Sequence, residues 1–278
     1  MTGLTVLTLL GVGVLVGLIA GLLGIGGGVL IVPFLYFFYG HPDWSGTELP
    51  LRLHVPVAHA TSLFIILPTA LRGVLSYHRS GVVVWRAVLP IAVAAALAAV
   101  AGALLAPIIP GPVLETGFAL LLLASAVRMV VHSGGGGEER VRRVTIPRTA
   151  LTGVLVGSLS ALLGVGGGVV ALPLLIYLIG LRVEEIAATS LAIVMFSALA
   201  GSLTYLLSSP AGEVMPTGSI GYVHVLAAVP ILAGSLISVG WGTRLNRVLP
   251  TRVLRWIFAS LFALVGVEIL AENLVEWL

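Results

Sequence analysis

The chain has 278 residues, 59% of them hydrophobic and only 9% charged, with 14 basic and 11 acidic side chains and a mean hydropathy of +1.16. That is too little polar surface to cover a water-soluble globule of this length, so the chain reads as an all-α polytopic membrane protein. Every basic residue is arginine and the net charge is +3, which leaves no electrostatic footprint for nucleic acid. The absence of cysteine excludes disulfides, thiolate metal ligands and a cysteine nucleophile.

No cationic segment precedes the first apolar run and no small-residue cleavage site follows it, so that run is expected to be retained. In chain order the expected elements are a glycine-broken hairpin over 4–40 and helices near 58–77, 85–106 and 112–131. A flexible, water-exposed linker follows over 132–148, HSGGGGEERVRRVTIPR, and then a second hairpin over 149–180 and helices near 186–207, 221–241 and 253–274. Most of these reach the ~20 residues that a helix needs to cross a ~30 Å hydrocarbon layer. Two structural repeats follow, 1–131 and 149–278.

The repeat is visible residue by residue. Residues 17–40, GLIAGLLGIGGGVLIVPFLYFFYG, match 157–180, GSLSALLGVGGGVVALPLLIYLIG, at 11 of 24 positions. Ala60-Thr61-Ser62-Leu63 recurs as Ala188-Thr189-Ser190-Leu191, Gly73 and Tyr77 as Gly201 and Tyr205, and Pro90, Gly102 and Pro110 as Pro230, Gly242 and Pro250. The halves differ mainly in loops, with insertions near 41–54 and near 208–220. A duplicated glycine knot inside apolar sequence is the signature of a transporter.

Charge decides the expected topology. If each glycine segment crossed once, the arginines would divide almost evenly between the two faces, against the positive-inside bias. If each returns to the face it came from, Arg79, Arg86, Arg128, Arg140, Arg142, Arg143, Arg148, Arg182, Arg244, Arg247, Arg252 and Arg255 share one face, Arg52 lies opposite and Arg72 lies within a helix. This favours inverted repeats with both termini outside. Residues 149–163 and 169–180 would form helices of only about 22 and 18 Å, which predicts two re-entrant halves, whereas 4–23 is long enough to span fully.

The tips of the two hairpins are the candidate site. Gly24, Gly26, Gly27 and Gly28, with Gly164, Gly166, Gly167 and Gly168, can adopt positive φ and direct successive N–H groups into one concavity. The helices that follow begin there, so their positive dipole ends favour an anion. Close helix packing is the alternative reading of these glycines. Thr61, Ser62, Thr189 and Ser190 are expected to open the next helix of each half and to donate hydroxyl hydrogen bonds, unless they serve as caps or bond to their own helix. His59 is a candidate proton carrier. Arg72 could balance an anion or extend toward the interface. No metal site and no cofactor is expected. The tryptophans fall near helix ends, as in an aromatic belt, and the small residues of Ala92 to Ala106 suit either internal packing or a homodimer face.

GLLGIGGGVLIVPFL and ALLGVGGGVVALPLL, each followed by an ATSL helix, with HRSGVVVWRAVLP after the first, resemble the TauE/SafE family of membrane permeases. The resemblance covers nearly the whole chain, although the second half carries SSPAGEVMPTGSIGYVH where the first has its short turn. It implies a secondary transporter, an exporter, in the bacterial cytoplasmic membrane, with a small sulfur-containing anion such as sulfite, sulfoacetate or another organosulfonate as substrate and the lipid bilayer as its surroundings. An anion channel and an uptake permease for a related oxyanion are the alternatives. No HExxH, GxSG or Walker A motif is present, so an enzyme or a nucleotide-driven pump is not expected.

Overall fold

The computed structural model describes residues 3–45, 49–131, 144–208 and 215–277. The helices are α1 (Gly3–Leu23), α2 (Gly28–Gly40), α3 (Pro42–Ser45), α4 (Leu51–His78), α5 (Trp85–Leu105), α6 (Gly111–Val131), α7 (Ile146–Leu163), α8 (Gly168–Leu174), α9 (Val183–Leu207), α10 (Val225–Val248) and α11 (Thr251–Trp277). A short hairpin of β1 (Ser219–Ile220) and β2 (Val223–His224) precedes α10. Among the described residues, six helices are long and apolar enough to cross a membrane, so the chain is an all-α polytopic membrane protein.

Several boundaries differ from the sequence reading. α4 starts at Leu51 rather than near 58, because Pro50 stands at its N-cap and the His54 and Pro56 that read as loop are absorbed into its first turns. His54 Nε2 bonds the Leu49 carbonyl at 2.8 Å and ties down that entry. α7 has 18 residues, about 27 Å at ~1.5 Å per residue, so it nearly spans. In the second hairpin only the returning arm is a half-helix: α8 gives way at Leu175 to a wider π turn ending at Ile179. Pro173 lies just before that turn and supplies no N–H to the helical ladder. α10 starts four residues later than expected, the β-hairpin taking its place, and continues to Val248. The expected linker lies largely outside the described residues, and its last three positions already belong to α7.

The two repeats hold each other through reciprocal contacts. Gly13 lies against the Ile231 backbone, and its counterpart Gly153 against the Ile91 backbone. Gly17 meets Ser235 as Gly157 meets Ala95, and Gly242 meets Leu18 as Gly102 meets Ser158. Equivalent positions of the two repeats thus meet each other reciprocally, as in an isologous interface. In lipid there is no hydrophobic force between helices, and such small-residue seams let backbones approach closely enough for dispersion to act. The small residues of α5 are used in this way: Ala92, Ala95, Ala99 and Ala103 are buried inside the molecule.

The same contacts fix helix direction. α1 runs parallel to α10 and α5 parallel to α7, since contacting numbers rise together. α4 is also parallel to α10, through Thr69 with Ser235 at 2.7 Å and Ser76 with Thr243 at 2.7 Å. α4 and α9 are equivalent helices yet run antiparallel: Gly73 packs under Leu191 and Gly201 under Leu63. The peripheral helices α6 and α11 pair with each other, and Trp44, Trp241 and Trp256 are exposed.

A Gly13→Leu substitution should overpack the α1–α10 seam and cost at least the ~1–3 kcal/mol typical of core overpacking. Gly11→Leu, two residues away and facing open space, should leave the thermal unfolding of detergent-purified protein unchanged.

Candidate functional site

The hairpin tips meet at the centre of the molecule. Gly24 to Gly28 and Gly164 to Gly168 are all buried. Six of the eight expected glycines have left-handed backbone: Gly24 (φ 72), Gly26 (83), Gly27 (88), Gly164 (65), Gly166 (77) and Gly167 (77). A Cβ at the tip centres would be strained whatever the space around it. Gly28 and Gly168 differ, being the first helical residues of α2 and α8. Each instead permits close approach: a Cβ at Gly28 would overlap the Val165 backbone, and one at Gly168 the Ile25 backbone. The packing and site readings of these glycines are therefore met at different positions of one motif.

At the first tip the Leu30 and Ile31 N–H groups both bond the Gly27 carbonyl at 3.1 Å. The Gly28 and Val29 amides precede any intrahelical acceptor, as at every helix start. The second tip repeats this, with the Ala171 N–H on the Gly167 carbonyl at 2.8 Å. Non-helical backbone at this depth is tolerated because protein surrounds it. The arms that lead into the tips are held by a duplicated tyrosine: Tyr77 Oη donates to the Gly21 carbonyl at 2.6 Å and Tyr205 Oη to the Ala161 carbonyl at 3.0 Å. Ser197 Oγ donates to the Gly166 carbonyl at 3.2 Å. The duplication of Tyr77 and Tyr205 was readable in sequence; the Ser197 contact was not.

α4 and α9 face the tips. Gly164 lies against His59 and Gly24 against the equivalent residue, Ala187. Gly26 and Gly166 both contact Ile66 and its counterpart Val194. Positions 59, 62 and 66 share one helix face, as do 187, 190 and 194, so Ser62 and Ser190 lie between residues that touch the tips. Both serines are fully buried and neither Oγ has a hydrogen-bond partner.

Thr61 and Thr189 do something else. They sit in the interiors of α4 and α9 rather than opening them, because both helices begin earlier than the sequence suggested. Thr61 Oγ1 accepts the His224 N–H at 3.0 Å, and Thr189 Oγ1 accepts the Val84 N–H at 3.2 Å. His224 and Val84 immediately precede α10 and α5. Each threonine therefore caps a helix of the opposite repeat. Arg72 is exposed on α4 and is not brought to the tips. His59 is fully buried, with Tyr36 Oη 2.5 Å from its Nε2.

Fold and site together define a multi-pass membrane transporter. The profile described as sulfite exporter TauE/SafE matches residues 9–269, and the chain belongs to that family. It is 27% identical to a protein of Methanocaldococcus jannaschii over 93% of each chain. Identity is 28% with a Haemophilus influenzae protein over 92% of this chain and 95% of that one, and 24% with a Bacillus subtilis protein over 94% and 96%. All three carry the name "Probable membrane transporter protein". No solved structure matches.

Thr61→Val should strand the buried His224 amide and lower stability by ~1–3 kcal/mol, whereas Ser62→Ala, which breaks no existing bond, should change it by less than about 1 kcal/mol. Thermal unfolding of the two purified variants compares them directly.

Proposed function

We propose that this chain is a secondary transporter that exports small sulfur-containing anions, with sulfite, sulfoacetate and other organosulfonates as the class, across the bacterial cytoplasmic membrane. One observation carries the reading: two glycine tips meet inside the molecule, flanked by two equivalent buried hydroxyls, Ser62 and Ser190, that no protein group uses. A tetrahedral or pyramidal oxyanion offers several acceptor oxygens, and the site offers hydroxyl donors and helix-start amides with their positive dipole ends. The family description and the relatives' names support transport, and the description of the family supports the sulfur anion.

The antiparallel sense of the equivalent helices α4 and α9 supports inverted repeats. Helix direction also gathers Arg79, Arg86, Arg148, Arg182, Arg244 and Arg247 at one end of the bundle, where Arg247 bonds Ser80 Oγ at 2.6 Å. Arg52 lies at the other end. The arginine-rich end is then the cytoplasmic face and the amino terminus lies outside. Because the tips are buried, substrate access from either face requires the hairpins to shift against α4 and α9, as in alternating access. An anion leaving a negative interior without a co-ion would be driven outward by the potential, by ~2.3 kcal/mol per charge per 100 mV.

The test is flux of labelled sulfite, sulfoacetate and sulfate in proteoliposomes at fixed potential. Saturable sulfite or sulfonate flux is expected in the wild type. It should be abolished by Gly27→Leu and Gly167→Leu and weakened about tenfold in apparent affinity by Ser62→Ala or Ser190→Ala, the loss of one bond to a charged group. Large unitary conductance would instead indicate a channel. The natural absence of cysteine allows topology to be read as well. In intact cells an impermeant maleimide should label Leu51→Cys and not Arg79→Cys, and the reverse would invert the orientation.

A further inference from the structure

The pseudo-twofold relation breaks down at one place, and the break is chemical. On α2, Tyr36 and Tyr39 lie three residues apart and each meets a histidine. Tyr36 Oη bonds His59 Nε2 at 2.5 Å, and Tyr39 Oη lies 3.3 Å from His224 Nδ1. The His224 amide is in turn bonded to Thr61 on α4, two residues from His59. The His54 ring lies tilted 47° to the Tyr39 ring with centroids 6.4 Å apart, toward the arginine-poor end of the bundle. The pseudo-twofold counterparts of Tyr36, Tyr39, His59 and His224 are Ile176, Ile179, Ala187 and Val84. Two tyrosine–histidine pairs thus lie between the arginine-poor face and the second glycine tip, and the equivalent positions toward the arginine-rich face are all apolar.

A symmetric scaffold needs no such pairs for stability, since the equivalent positions are packed with aliphatic side chains. Buried histidine and tyrosine are also costly unless their polar atoms are paired. The innermost member is not fully paired. His59 Nδ1 has no hydrogen-bond partner. Its ring lies against Gly164 and one helical turn from the free hydroxyl of Ser62.

We propose that anion transport is coupled to a proton carried by His59 and released with the anion toward the arginine-poor face, past Tyr36, Tyr39 and His224. The inference rests on the anion-carrier reading above. When a sulfonate occupies the tips, His59 takes up one proton and the imidazolium balances the anion inside a low-dielectric site. Nε2–H then donates to the Tyr36 hydroxyl oxygen, and Nδ1–H is a second donor. Release of the anion removes the counter-charge, the proton leaves, and the neutral ring returns. Proton and anion therefore move together, one of each.

The groups around His59 are compatible with this. From α2 they are Tyr36 and Tyr39, and from β2 His224. Glu115 of α6 and Tyr205 of α9 act electrostatically on Tyr36. α7 presents backbone at Gly164. Among the described residues, no arginine is placed against the His59 ring.

The experiment follows labelled methanesulfonate, which stays ionised over the working pH range, together with a pH dye trapped inside proteoliposomes at clamped potential. The wild type should move about one proton with each anion, as a single titrating imidazole dictates. His59→Gln and Tyr36→Phe should bring that ratio to near zero, while Ile176→Phe on the mirror side should leave it unchanged. Tyr36→Phe keeps the ring and its packing, so it carries the test if His59→Gln does not fold. Wild-type methanesulfonate flux without a pH change, or an undiminished ratio in both relay variants, would overturn the coupling and leave the anion carrier standing. No movement of any anion by folded wild-type protein would overturn the carrier reading, and this inference with it.

Discussion

Everything in this structure depends on how closely two copies of one backbone can approach each other without side chains between them. At Gly13, Gly17, Gly21, Gly234 and Gly242, and at Gly102, Gly153 and Gly157, a single added carbon would overlap the opposing helix. Hydrocarbon tails solvate leucine as well as another helix does, so these seams are held by dispersion and shape. Because the contacts are reciprocal, each geometric solution is used twice, and the same relation that seats α1 on α10 seats α7 on α5. The placement of the two glycine tips is a consequence: with both long arms fixed, the chain must turn back where the other tip already stands.

The tips then face a polar accounting problem that helices normally avoid inside a membrane. Their carbonyls and amides leave the helical ladder, and the answer is local and specific. Ser197 takes the Gly166 carbonyl, while Tyr77 and Tyr205 hold the turns that lead in. Adjacent residues of one motif divide the remaining work. The threonines of the ATSL sequence are spent on capping helices of the opposite repeat, whereas the serines beside them are left with nothing to bond. That contrast separates a structural residue from a candidate ligand at neighbouring positions, where composition and spacing treat them alike.

Symmetry explains the scaffold and its violation suggests the drive. A twofold carrier presents equivalent surfaces to both faces, which by itself gives no preferred direction. With Tyr36 and His59 on one side and their counterparts Ile176 and Ala187 on the other, the proposed proton coupling has titratable groups on one side only. Direction and coupling can be built in this way without disturbing the packing that both halves share.

The sequence alone determined the class, the duplication and the family. A chain with 9% charged residues must live in lipid, and repeated glycines with repeated ATSL segments survive translation into structure because they are local patterns. It also located the tips, since three successive glycines inside apolar sequence have few other uses. The helix starts at Leu51 and Val183 were misjudged because Pro50, His54 and Pro56, or charges such as Glu184 and Glu185, look like loop when their tertiary partners are unknown. Partner identity was decided only in three dimensions. That Thr61 caps α10, that Ser62 has no partner, that Arg72 turns away and that Tyr36 reaches His59 are facts about residues far apart in the chain. Local propensity encodes which residues can bond, and only the mutual packing of the two repeats decides which of them do.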